Sequence, residues 1–470
     1  MKIKHDSITI SVSDPFENCK LDRKKYATIL TNLVGSYSEG FVLAINNEWG
    51  TGKTTFIKMW QQHLINHGYK TLHFNAWEND FESDPLVAIM GELKTLEPPT
   101  NDKAFKNLLQ KGAVLTKNVL PALMKAIAVK YIDIKILTDA IENITKSATE
   151  ILKAEVDEYA NKKKGLIDFR IELERFIKLN NNEKPVVFFI DELDRCRPNY
   201  AVEVLEQVKH FFNVQGIVFV LSIDKMQLGN AIRGVYGSEK IDANEYLRRF
   251  IDIEYTIPAP KTAVFCRYLF DYFQFDDFLL SFDRMKHREL HSDRDNLLKM
   301  ASTLFIAGNI TLRQQEKVFA HARVVLNSFS SNNYLFPQLF ILLIYMRDFS
   351  VEIYKKMRDK KFTPQALIDE IGKIFPDNIK EEDLRFFISI EAQFVQFYHN
   401  YYRETYHNNQ IIERDDQSGK NKLLIKSAMD RKVNSDTLLS TIEILQTTGV
   451  HSIKLNYLLD KIDLMDSFSL

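Results

Sequence analysis

The chain has 470 residues, 45% of them hydrophobic and 12% aromatic, which excludes a disordered polymer and exceeds what one core usually organises, so two or three domains are expected. Lys plus Arg (62) and Asp plus Glu (63) leave a net charge of −1, so no whole-molecule field draws in nucleic acid or an anionic membrane. Cys19, Cys196 and Cys266 are far apart with no C-x-x-C pair, which argues against a disulfide framework or a zinc site and for a reducing, cytoplasmic setting.

The N-terminal MKIKHDSITISVSDPF alternates polar and apolar residues and lacks the apolar core of a signal peptide. A short apolar strand, Phe41 to Asn46, then runs into a Gly-bearing loop, after which Phe56, Ile57, Met59, Trp60 and Leu64 recur at helical spacing. Gly50 and Gly52 allow that loop to curl, so that backbone N–H groups converge on phosphate oxygens at a helix N-terminus. Lys53 is then placed to reach the β- and γ-phosphates and the Thr54 hydroxyl to coordinate Mg²⁺, with Asn47, Trp49, Thr51 and Thr55 completing the cofactor-binding loop. The phosphate-loop consensus has Gly where this chain has Asn47; that position needs a positive or otherwise unusual φ, and Asn is the non-glycine residue that best tolerates the left-handed region. The bland alternative is an ordinary turn capped by Thr.

A second strand, Thr71 to Asn75, follows, and Asp84 with Pro85 reads as the N-cap and first residue of the next helix. Residues 98–182 are lysine-rich and helical in pattern, an insertion between two halves of a sheet domain, 1–97 and 183–260. The sheet resumes with Val186 to Ile190, a continuous apolar run that ends in Asp191-Glu192. Ligands of parallel sheets bind at the carboxyl ends of strands. Asp191 is thereby placed to hold Mg²⁺ and Glu192 to polarise the attacking water, while Asp194 reads as a cap.

A helix from about Asn199 to Phe212 and a strand Ile217 to Leu221 complete an alternation that implies a parallel, doubly wound α/β fold. Ser222 and Asp224 end that strand, where they could sense a γ-phosphate or cap a helix. Arg248 and Arg249 precede an edge-like strand and are candidates for stabilising transition-state charge, against exposed salt-bridging as the plain reading. Beyond Pro258-Ala259-Pro260 every long segment reads helical, with a polar break at Glu413 to Lys422. The most apolar run, Leu335 to Met346, is well short of the ~20 residues that cross a bilayer and reads as a buried helix. Gly112 to Ile132 is interrupted by Lys117, Lys125 and Lys130, so no transmembrane segment is expected. His63 with His67 and His287 with His291 lack carboxylate or thiolate partners and read as solvated pairs rather than metal sites. The basic clusters at 162–164 and 357–361 read as solvated helix faces.

These motifs together resemble the KAP family of P-loop NTPases. Its loop, roughly G-x-W-G-x-G-K-[ST], is matched by Trp49, Gly50, Gly52, Lys53 and Thr54, with Asn47 departing from the first Gly, and its acidic loop by Asp191 through Cys196. Phe74-Asn75-Ala76-Trp77, Phe219 through Asp224 and Tyr246 through Ile251, the last taken as a helix, are similar to further family segments. Thr311-Leu312-Arg313-Gln314 resembles the lid-helix arginine of related ATPases, and the likeness runs from about residue 8 to residue 350. The resemblance implies a P-loop NTPase of the additional-strand ATPase type, with a helical lid at 261–375 that brings Arg313 to the phosphates; 376–470, a C-terminal region that reads as helical, carries no family match. It also implies, in bacteria, work in defence against phage or plasmids.

The expectation is thus an ATPase that uses Mg²⁺ and ATP to drive a conformational or oligomeric switch, with a second copy of the chain or an effector encoded nearby as partner. ATP is preferred to GTP because no N-K-x-D element is found. A non-catalytic nucleotide-gated scaffold or a DNA-associated regulatory NTPase is the alternative, nucleic acid being unsupported by the charge. A nuclease or other toxic effector in the C-terminal helices is a third reading, and no acidic cluster with a nearby Lys stands out there.

Overall fold

A computed structural model of the chain describes residues 8–37, 39–81, 84–96, 102–112, 148–181, 183–209, 214–376, 379–414, 420–429 and 435–463. They form two compact units, Ser7–Ala259 and Pro260–Leu470.

In the first unit the elements run α1 (Lys24–Ser36), β1 (Val42–Asn46), α2 (Lys53–Asn66), β2 (Thr71–Asn75), α3 (Pro85–Lys94), α4 (Asp102–Gly112), α5 (Ala148–Asn180), β3 (Val186–Asp191), α6 (Pro198–Val208), β4 (Ile217–Ile223), α7 (Lys225–Tyr236), α8 (Ala243–Leu247) and β5 (Ile253–Tyr255). The five strands form one sheet in the order β2-β3-β4-β1-β5 with every pairing parallel. The strand that ends in the phosphate loop and the strand that ends in Asp191 are therefore separated by β4, the additional strand. β3 and β4 are buried along their whole length, which is why they read as unbroken apolar runs. β2, at an edge, alternates buried Leu72 and Phe74 with partly exposed Thr71, His73 and Asn75.

The two-residue period of the strands sorts their side chains between two cores. Leu43, Ile45, Val187, Phe189, Val218 and Val220 pack with Phe56, Ile57 and Trp60 of α2 and with Ala27, Leu30 and Val34 of α1. Val42, Ala44, Phe74, Phe188, Ile190, Phe219 and Leu221 face the other side, with α3, α6, α7 and the Phe169 to Ile177 stripe of α5. By the same period Asp191 and Ser222 fall on the α2 side. Asp84 caps α3 by accepting from Leu86 N at 2.8 Å, with Pro85 at the first helical position.

Three local readings are corrected. The segment from Tyr246 to Ile251 is not one helix: α8 stops at Leu247, and Arg248 and Arg249 lie in the tight turn beyond it. Phe250 N donates to Leu247 O at 2.9 Å, and the chain must turn there so that Asp252 can meet Val42, whose N donates to Asp252 Oδ2 at 2.8 Å. His63 is not solvated but 7% exposed, edge-on to the Phe16 ring at 5.9 Å, because it faces inward from α2; His67 beside it is exposed. The polar break in the C-terminal region is flanked by a small antiparallel hairpin, Ile412–Arg414 against Asn421–Leu423.

The second unit is otherwise helical among its described residues. Its central helix, Pro337–Phe349, is buried from Pro337 through Met346, which explains the apolar run there. The basic cluster at 357–361 is largely answered by acids, Lys360 by Glu404 at 2.8 Å, Lys361 by Asp359 at 2.9 Å and Arg358 by Asp463. No helix among the described residues is long and apolar enough to cross a membrane, and residues 113–147, with most of the Gly112 to Ile132 stretch, lie outside them.

Candidate functional site

The carboxyl ends of the strands bring the candidate residues into one row. Register pairs Asn75 with Asp191 and Asp191 with Ser222, and Ser222 in turn with Ile45, one residue before the end of β1. Asn47 N, the first loop donor, bonds the Ile223 carbonyl at 3.1 Å, so the phosphate loop starts on the neighbour of the acidic strand. Gly50 and Gly52 take φ of +81° and +79°, the left-handed conformations that let the loop curl before α2 begins at Lys53.

Lys53 is 8% exposed, and its ammonium donates to the Asn47 carbonyl across the loop. Burial pushes it below the ordinary lysine range, opposed by the nearby carboxylates of Asp194, Asp224 and Asp191. Thr54 and Thr55 lie half-buried on the first turn of α2, and Thr51 donates to the Glu48 carbonyl at 2.8 Å.

Asp191 is 1% exposed; one oxygen accepts from Glu192 N at 2.9 Å, and Oδ2 is buried with no hydrogen-bond partner, His73 Nε2 lying 3.9 Å away. Ser222 Oγ, its register neighbour, is also buried and unpartnered. Leaving such groups unsatisfied is costly, and a metal-chelated phosphate beside them would satisfy both, so the oxygens present are of a kind that fits Mg²⁺, which Asp191 and Thr54 would hold.

Glu192 adopts φ 60°, ψ 24°, a left-handed backbone uncommon for a non-glycine residue. Its carboxylate is paired with Arg195 Nη1 at 3.0 Å and held by the Asn75 amide, and burial raises it above the usual carboxylate range. Arg195 also lies 5.9 Å from the Trp77 ring, and Arg197 bonds Asp80 at 2.8 Å.

Several partners have no local sequence signature. Asp194 is not merely a turn acid: it is buried and accepts from the indole N–H of Trp49, tying the acidic loop to the phosphate loop. Asp224, by contrast, takes the local capping role that the sequence offered, as N-cap of α7, accepting from Met226 N at 3.1 Å and Gln227 N at 3.2 Å. Arg23, ahead of α1, reaches the Gly52 and Thr51 carbonyls at 2.9 and 2.7 Å. Asn46 joins Glu254 of β5 at 2.7 Å and Lys225 N of α7 at 3.0 Å.

Asn47 does not have a positive φ, the first of the two alternatives expected of it. Its side chain instead clamps the chain after β5, donating to the Ile257 carbonyl and accepting from Ile257 N, both at 2.9 Å. Asn47→Gly, although it restores the consensus, is therefore expected to destabilise the protein by about 1 to 2 kcal/mol in denaturant unfolding. Unchanged stability would mean that the clamp contributes nothing.

Arg248 is highly exposed and paired with Glu245, three residues back, and Arg249 is exposed beside it. Arg313 belongs to the other unit, exposed on the first turn of helix Leu312–Leu326, which is capped by Thr311 and Gln314. Neither histidine pair carries a metal cluster: among the described residues no group of three or more His, Cys, Asp or Glu side chains is arranged to hold an ion.

A family model described as the KAP family P-loop domain matches residues 23–315, more than half of the chain and narrower at both ends than the likeness read from the motifs. The structure of the Aeropyrum pernix ORC2 protein (ADPNP-ADP complexes) is similar at a TM-score of 0.32 and 12% identity, over 91% of this chain and 95% of that one. No curated protein matches the chain.

Proposed function

The chain belongs to the KAP family of P-loop NTPases, whose general chemistry is nucleotide binding and hydrolysis, and from that premise we propose that it binds Mg-ATP at the sheet edge and hydrolyses it to drive a conformational or oligomeric switch. The observation that carries this reading is the buried Asp191 Oδ2, which makes no hydrogen bond and has His73 Nε2 only at 3.9 Å, beside Ser222 and across β4 from the strand leading to Lys53. A packing acid is ordinarily given a hydrogen bond for each buried oxygen, whereas a metal ligand leaves one oxygen open.

In this mechanism Lys53 exchanges the Asn47 carbonyl for β- and γ-phosphate oxygens, and Thr54 and Asp191 are the residues that would hold Mg²⁺, which would supply neutralising charge there. Glu192 leaves Arg195, orients a water and accepts its proton as the new P–O bond forms and the β–γ bridging P–O bond breaks. Asn47, Trp49, Gly50, Thr51, Gly52 and Thr55 shape the cradle. Arg248 or Arg249 from a neighbouring copy, or Arg313 from the lid, supplies the charge that stabilises the transition state. The partner we propose is a second copy of the chain or a protein effector, and the setting is defence against phage or plasmids in the bacterial cytoplasm.

The test is steady-state phosphate release by the purified chain with Mg-ATP and with Mg-GTP, each with and without DNA. Faster release from Mg-ATP is expected. Tight Mg-ATP binding with no release under any condition would favour the nucleotide-gated scaffold instead, and DNA stimulation the DNA-associated regulator.

A further inference from the structure

Arg23 occupies the N-cap position of α1 and is 4% exposed. A guanidinium removed from water is costly unless an anion answers it. Among the described residues no carboxylate pairs with Arg23, and burial is the largest influence on its guanidinium, pushing it below the ordinary arginine range. Two of its donors go instead to backbone carbonyls of the phosphate loop, Nη1 to Gly52 at 2.9 Å and Nη2 to Thr51 at 2.7 Å, and Nε is buried with no partner.

The direction of those bonds has a geometric consequence. In a planar trans peptide the C=O and the N–H that follows it point in opposite directions. Drawing the Thr51 and Gly52 carbonyls toward Arg23 therefore turns the N–H groups of Gly52 and Lys53 away from it. Those are the donors that gather phosphate oxygens at a helix N-terminus. Close approach also demands glycine: a Cβ on Gly52 would lie 3.0 Å from Arg23 Nη1, and the residue's φ is +79°.

We propose that Arg23 is a positioning residue of the nucleotide site, orienting the peptide planes from Thr51 to Lys53, and that its unanswered charge is completed by the polyphosphate of a bound nucleoside triphosphate. The inference rests on the nucleotide reading above. It distinguishes Arg23 from an ordinary structural arginine, whose loss would weaken the free protein as much as the complex. Here the lost carbonyl bonds are offset in the free chain by relief of a buried charge, so the loss falls on binding.

Mg-ATP affinity is to be measured by titration calorimetry for the full chain and for Arg23→Gln, with thermal unfolding of both in the absence of nucleotide. Affinity is expected to fall about tenfold or more, with the free-chain midpoint close to wild type. Arg23→Lys keeps the charge but not the two-pronged geometry, so it should recover affinity only in part. Wild-type affinity in Arg23→Gln overturns the proposal, as does a lowered midpoint with unchanged affinity in the folded protein. If Arg23→Gln does not fold, Arg23→Lys decides: reduced affinity supports the orienting role and wild-type affinity overturns it. A wild-type chain that takes up no Mg-ATP would instead defeat the nucleotide reading itself.

Discussion

Glu192→Gln is expected to lower phosphate release about 10³-fold while leaving Mg-ATP binding near wild type. Glutamine keeps the shape of the side chain and an oxygen for the Asn75 amide, but it cannot accept the proton of an attacking water. It also loses the ion pair with Arg195. That pair is partly buried, yet the substitution also removes a carboxylate that burial already disfavours in its charged form, so the fold should be little affected. Single-turnover phosphate release and titration calorimetry on the same preparation separate the two properties. Hydrolysis at the wild-type rate would remove Glu192 from the mechanism.

Lys53→Ala should act one step earlier, weakening Mg-ATP binding about 10²-fold or more and abolishing turnover with it. The ammonium is buried, already aimed across the loop at the Asn47 carbonyl, and surrounded by the carboxylates of Asp194, Asp224 and Asp191. Alanine leaves those acids without their cation, next to the place where a polyphosphate must lie, so the local field turns from attractive to repulsive. A fluorescent ATP analogue titrated into both proteins, with circular dichroism to verify folding, makes the comparison. Undiminished affinity in Lys53→Ala would sink the assignment of the loop, whereas failure of Glu192→Gln alone would leave binding intact and move the base elsewhere.

What the sequence determined by itself was where strands end and which residues lie just past the ends. A strand buried on both faces must be an unbroken apolar run, so the first polar residues after Val186 to Ile190 and after Phe41 to Ile45 had to lie at the carboxyl edge, and Asp191, Asn46 and Asn47 do. The glycines before Lys53 were legible for a similar reason, since a left-handed turn before a helix has few other solutions.

The tertiary structure alone decided which distant groups complete the site. Arg23 meets Gly52 across 29 positions, Trp49 meets Asp194 across 145, and Asn47 meets Ile257 across 210. None of these pairs leaves a trace in local periodicity, because periodicity records which face of an element is buried and not what it is buried against. The placement of β4 between the two motif-bearing strands, the left-handed Glu192 and the end of α8 before Arg248 are of the same kind. Each follows from how the chain must bend to pair a strand with a remote neighbour, a constraint that exists only once both partners are in place.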